Sequence, residues 1–99
     1  MSAGQVTVVV RVKAKPETKT RAYEALQKLL APTRLEKGCI NYDMHVAQDD
    51  DSVFLFHENW TSESDMNRHL AAPHIQRIFA LAPELLAEPI QLTLWRKVD

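Results

Sequence analysis

Apolar and polar positions alternate from the start of the chain. Val6–Lys13 places Val6, Val8, Val10 and Val12 on one strand face and Thr7, Val9, Arg11 and Lys13 on the other. Both faces are partly apolar, which predicts an interior strand. The period then lengthens. Ala14-Lys15-Pro16 ends the strand, and Pro16 is placed to open a helix at Glu17. Ala22, Leu26, Leu29, Leu30 and Thr33 follow at helical spacing. Pro32 predicts a kink or a brief restart before Leu35, and Gly38 a C-terminal stop.

Cys39–Ala47 returns to alternation, with Ile40, Tyr42, Met44 and Val46 opposed by Cys39, Asn41, Asp43 and His45. Gln48–Ser52 is the length of a hairpin loop, so this strand pairs antiparallel with Val53–Trp60. Register between them is open, with His57 across from Tyr42 or from Asp43. Thr61 or Ser62 caps a helix whose first turn carries Glu63 and Asp65, as the helix dipole favours. That helix breaks before Pro73, and a second segment carries Ile75, Ile78, Phe79, Leu81 and Leu85. Pro83 and Pro89 mark its exit, and Ile90–Val98 forms the last strand. The order β-α-β-β-α-β is the ferredoxin-like α+β arrangement, a four-stranded antiparallel sheet with both helices on one face. The uncovered face keeps apolar residues in every strand, which predicts a homodimer pairing sheet to sheet.

Bulk properties narrow the function. Ninety-nine residues make a single domain spanning 1–99, and a chain this size buries only about 60–65% of its unfolded surface. Twelve basic and thirteen acidic residues give a net charge of −1 with no basic cluster, which argues against nucleic acid as a partner. The early apolar run Val6–Val10 is too short for a signal-peptide core or a membrane span. A single cysteine, Cys39, excludes an intramolecular disulfide and a cysteine-based zinc site, and the expected compartment is the cytoplasm.

The chemistry concentrates on Val53–Trp60. Phe54, Phe56, Glu58 and Trp60 share one face, so a carboxylate lies among aromatic rings, either at the rim of a core or at the edge of a pocket. Desolvation there raises a carboxyl pKa toward neutrality, where it serves as acid or base. Four histidines, His45, His57, His69 and His74, fall within thirty residues. His69 and His74 are five apart with Pro73 between them, a spacing that a regular helix does not align, so no metal site is expected. With two glycines the chain carries no phosphate loop and no flavin or nicotinamide fingerprint.

Glu36-Lys37-Gly38-Cys39-x-x-Tyr42-Asp43, then Phe54-x-Phe56-x-Glu58-x-Trp60, then His69-Leu70-x-x-Pro73-His74 resemble the antibiotic biosynthesis monooxygenase family, and within it the small stand-alone quinol monooxygenases. The resemblance runs from Val6 to Arg96. It implies a dimeric α+β barrel and oxygenation by O2 of a small quinol-like, phenolic or polycyclic aromatic, without flavin, metal or haem. Trp60 matches the family's strand-end tryptophan, Glu58 its companion acid, and His69 and His74 the Pro-His helix segment. On this resemblance Trp60 walls the pocket, His69 or His45 accepts the proton, and Glu58, Tyr42 and His74 supply hydrogen bonds; Phe56 and Phe79 complete the substrate-binding set. Two departures stand out. Phe56 occupies a position where some polyketide-oxidising members carry asparagine. Strand 1 also lacks the asparagine of haem-degrading relatives, while His69 and Phe79 stand near where those relatives have their tryptophan–histidine pair. Two other functions fit the same residues, a proton-transfer isomerase and a non-catalytic quinone-binding protein.

Overall fold

A computed structural model describes residues 4–99 of the chain. The elements run β1 (Val6–Lys13), α1 (Lys19–Gln27), α2 (Leu30–Arg34), β2 (Cys39–Val46), β3 (Val53–Trp60), α3 (Glu63–Leu70), α4 (Pro73–Leu85) and β4 (Gln91–Trp95). The four strands form one antiparallel sheet in the order β2-β3-β1-β4. This is the ferredoxin-like α+β topology expected from the patterning.

Strand alternation decides the two faces. Val8, Val12, Phe54, Phe56 and Trp60 are buried and meet Ala22, Leu26, Met66, Ile75 and Leu85 from the helices and Leu29 from the break between α1 and α2. Opposite them, Val9, Val53, Leu55 and Trp95 lie on the open face with Thr7, Asn41, His57 and Asn59. There Thr7 donates to Asn59 Oδ1, Asn59 Nδ2 donates to Asn41 Oδ1 at 2.8 Å, and Asn41 Nδ2 donates to Asp43 Oδ2 at 2.9 Å.

Several boundaries differ from those the pattern predicts. Pro16 opens a short 3-10 turn, Pro16–Thr18, and α1 begins only at Lys19. The helix break comes at Lys28 and Leu29, a turn earlier than expected. Pro32 thereby falls in the first turn of α2, where a missing N–H costs nothing because that donor has no intrahelical partner. Pro83 lies inside α4 rather than past its end. β4 stops at Trp95, because its register with β1 would carry residue 97 opposite Gln5, before β1 begins.

A bulge between Cys39 and Asn41 alters β2. Cys39 pairs with Trp60 and Asn41 with Asn59, so Ile40 is the extra residue and is half exposed rather than sharing the face of Tyr42. Cys39 takes the helix-side position instead. The bulge follows Gly38, whose φ of +84° only glycine adopts without strain and whose missing Cβ leaves room for the Asp65 carboxylate.

Candidate functional site

The strand that carries the chemistry lies second in the sheet, flanked by β1 and β2. Its helix-side residues Phe54, Phe56, Glu58 and Trp60 are all buried, and Tyr42 stands opposite Glu58 on β2. Glu58 is 3% exposed and Trp60 fully buried. A carboxylate this deep needs a partner. The indole supplies it: Trp60 Nε1 donates to Glu58 Oε1 at 3.0 Å. Loss of solvation nonetheless pushes the Glu58 pKa up to about 7, outweighing the hydrogen bond from Trp60, which lowers it, while nearby Glu36 adds a smaller upward push.

α3 brings His69 down onto this pair. Ser62 caps the helix by accepting from the Asp65 backbone N–H at 3.1 Å, and its first turn carries Glu63 and Asp65. Seven residues beyond that cap, His69 faces the sheet and is 2% exposed. Its ring stacks on Trp60 at a centroid distance of 4.6 Å and meets Tyr42 edge-on at 5.4 Å. His69 Nε2 lies 3.9 Å from Glu58 Oε1, while Nδ1 hydrogen-bonds Glu36 Oε2 at 2.8 Å. Burial lowers the His69 pKa, and its contact with Glu36 opposes that shift in part. Burial likewise raises the Tyr42 pKa, aided by Glu58, so the phenol stays protonated.

The same Glu36 oxygen takes a second histidine. His74 Nε2 lies 3.1 Å from Glu36 Oε2 and 3.0 Å from the hydroxyl of buried Thr33. Regular-helix spacing leaves His69 and His74 unaligned, so no metal site is expected of them; the structure corrects this by bringing both onto Glu36. The helix breaks at Ala71 and Ala72 and restarts at Pro73, which turns His74 back toward the end of α3. Glu36, His69 and His74 offer three ligand atoms within 4.8 Å of one another, a group with the composition of a metal site where none was expected.

An apolar cleft opens beside this cluster, with about 430 Å³ of empty space including its mouth. Tyr42, Phe56, Glu58, His69, Ile78 and Phe79 line it, and the ionisable groups on its wall are Tyr42, Glu58 and His69. Of the residues singled out from sequence, Tyr42, Phe56, Glu58, His69 and Phe79 meet in the cleft. Trp60 lies directly behind Glu58 and His69, and His74 joins through Glu36. His45 does not. It is exposed on the opposite face of the sheet, paired with Leu55, because β2 keeps strict alternation after the bulge and odd-numbered residues turn away from the helices. Sequence reasoning passed over Glu36 and Thr33. Glu36 headed the first of the three motifs, and Thr33 was read as part of an apolar helical stripe.

The model of the antibiotic biosynthesis monooxygenase family matches residues 5–81. The chain belongs to this family. A Mycobacterium tuberculosis protein named "Putative monooxygenase Rv0793" is 30% identical over 95% of this chain and 92% of its own length. The solved structure of Rv0793 superposes with a TM-score of 0.90 at 27% identity, covering 96% of each chain. PA3566 from Pseudomonas aeruginosa shares the fold, with a TM-score of 0.92 at 24% identity over 100% of this chain and 99% of that one. An uncharacterized Synechocystis protein is 29% identical over 92% of this chain, which spans 62% of that relative's length. No helix among the described residues is long and apolar enough to cross a membrane.

Proposed function

We propose that this single-domain protein is a cofactor-independent monooxygenase of a small phenolic or quinol-like aromatic, working as a homodimer that pairs through the open sheet face. The observation that carries the reading is His69. It stands on the wall of an apolar cleft, stacked on Trp60, with Nδ1 bonded to Glu36 and Nε2 turned toward Glu58. A histidine whose Nδ1–H is held by a carboxylate presents its other nitrogen as a proton acceptor.

In this reading the substrate lies in the cleft against Phe56 and Phe79, and His69 Nε2 removes its acidic proton. The resulting electron-rich anion reduces O2 and then bonds to it, giving a hydroperoxide. At an activated CH2 group, loss of water leaves a carbonyl: one oxygen atom stays in the product and the other leaves as H2O. Desolvation by the apolar walls strengthens the hydrogen bond that Tyr42, held protonated, offers the anion. Glu58, with its pKa near 7, takes up or returns protons to His69. Trp60 positions both groups.

A second reading, proton-transfer isomerisation, draws on the same Glu58–His69 pair, since a carboxyl group with a pKa of about 7 beside an imidazole suffices to move a proton between adjacent carbons. Labelling with 18O2 separates them. Oxygenation predicts one labelled atom in the product of a naphthoquinol or anthrone; turnover of a hydroxy-ketone with no label incorporated would replace it with isomerisation.

A further inference from the structure

We infer that Glu36, His69 and His74 form a binding site for a zinc-type divalent transition-metal ion. Three elements deliver the donors: the turn after α2 and, 33 residues further on, the end of α3 and the start of α4. Among the described residues this is the one group of three or more such side chains that converges, with all three ligand atoms within 4.8 Å. Two donor atoms about 2.1 Å from a shared ion lie roughly 3.0–3.4 Å apart in octahedral or tetrahedral geometry. The separations from Glu36 Oε2 are 2.8 Å to His69 Nδ1, just under that range, and 3.1 Å to His74 Nε2, within it. An ion taking the place of the protons between these atoms widens the first separation slightly and holds the two imidazole nitrogens, which lie within 4.8 Å of each other, at ligand distance.

The donor set selects the ion class. Two imidazole nitrogens and one carboxylate oxygen suit zinc, cobalt, nickel or iron, whereas magnesium and calcium take all-oxygen sites. Three protein ligands leave positions for water, and the Glu36 and His74 side chains, 18% and 21% exposed, give solvent a path in. The surroundings also have the form of a metal site. A ligating histidine usually turns its other nitrogen toward a carboxylate. His69 Nε2 faces Glu58, itself anchored by Trp60; the Thr33 hydroxyl meets His74 at Nε2, the nitrogen the ion takes, and gives up that contact when metal binds.

The binding site stands on this geometry alone and does not depend on the oxygenase reading. One consequence does rest on that reading. A metal on Nδ1 leaves the proton of neutral His69 on Nε2, the reverse of the form that accepts a proton from substrate. Metal binding and turnover then exclude each other.

The test is titration of chelator-washed protein with Co2+, followed by visible d–d absorption, and with Zn2+ against a chromophoric chelator, with Mg2+ as control. One Co2+ or Zn2+ per chain is expected, with Mg2+ silent. His74→Ala and Glu36→Gln, checked for native circular dichroism, each weaken binding at least about tenfold, and His45→Ala leaves it unchanged. No saturable Co2+ signal in the wild type, or full affinity in both variants, overturns the site. Failure of zinc to inhibit oxygen uptake, with binding intact, removes only the link to turnover.

Discussion

Trp60 Nε1 donates to the carboxylate of Glu58, two residues earlier on the same strand face, at 3.0 Å. The bond keeps a buried carboxyl group from being orphaned, yet burial still holds its pKa at about 7 against an ordinary value of 4.5. The same pair therefore bears on stability and on reactivity.

Stability carries the first signature. Below pH 4.5 Glu58 is protonated in both folded and unfolded chains and has no effect. As pH rises from 4.5 to about 7 the unfolded chain ionises first, so native stability falls; above 7 the loss is constant. The shift corresponds to at most about 3 kcal/mol. Glu58→Gln, which cannot ionise, is expected to match the wild type at pH 4.5 and to exceed it by about 1–3 kcal/mol at pH 8. Urea unfolding at the two pH values measures this, and parallel stability for both proteins at both pH values contradicts the buried carboxyl.

The indole itself is the second lever. Trp60→Phe keeps an aromatic ring beside His69 but removes the donor that lowers the Glu58 pKa. The Glu58 titration, followed by 13C NMR of the carboxyl carbon, is expected to move upward. An unmoved or lowered value would show that the indole N–H is not what steadies the carboxylate.

At the start of the second strand, Gly38→Ala asks an alanine to adopt φ +84° with its Cβ driven into the Asp65 carboxylate at Oδ2. That oxygen also accepts from Thr61 and Ser62 at the mouth of α3, and Arg68 Nη1 donates to the other oxygen. A loss of roughly 1–3 kcal/mol is expected, read as a lowered thermal midpoint. Ser62→Ala removes the cap of the same helix and is expected to cost about 1 kcal/mol.

Sheet-to-sheet pairing makes a prediction independent of chemistry. Val9 and Leu55 sit at the middle of the open face on the two central strands. The wild type is expected to scatter light as twice its chain mass, and Leu55→Asp as a folded monomer. A monomeric wild type removes this mode of assembly.

Much of the site was legible because strands report their own geometry. Phe56, Glu58 and Trp60 follow from alternation alone, and Ser62 announces α3 through capping chemistry. Contacts between elements left no such trace. Nothing local to Glu36 reveals that it bridges His69, 33 residues away, and His74. Those histidines look misaligned on regular-helix spacing, and the break before Pro73, though legible, does not by itself say in which direction it turns His74. His45 was included by its residue type, while its parity on the strand already turned it away from Glu58. The bulge at Ile40, a backbone event beside Gly38, shifted the first part of β2 by one face.

In the proposed reaction His69 accepts a proton from an aromatic substrate held in the cleft. The most direct measurement is oxygen uptake by chelator-washed protein with reduced naphthoquinols and anthrones, corrected for autoxidation and compared with His69→Ala. Uptake above background that falls by about 100-fold or more in a folded His69→Ala protein is the expected result. Equal uptake in both proteins, or none in the wild type across the panel, contradicts it.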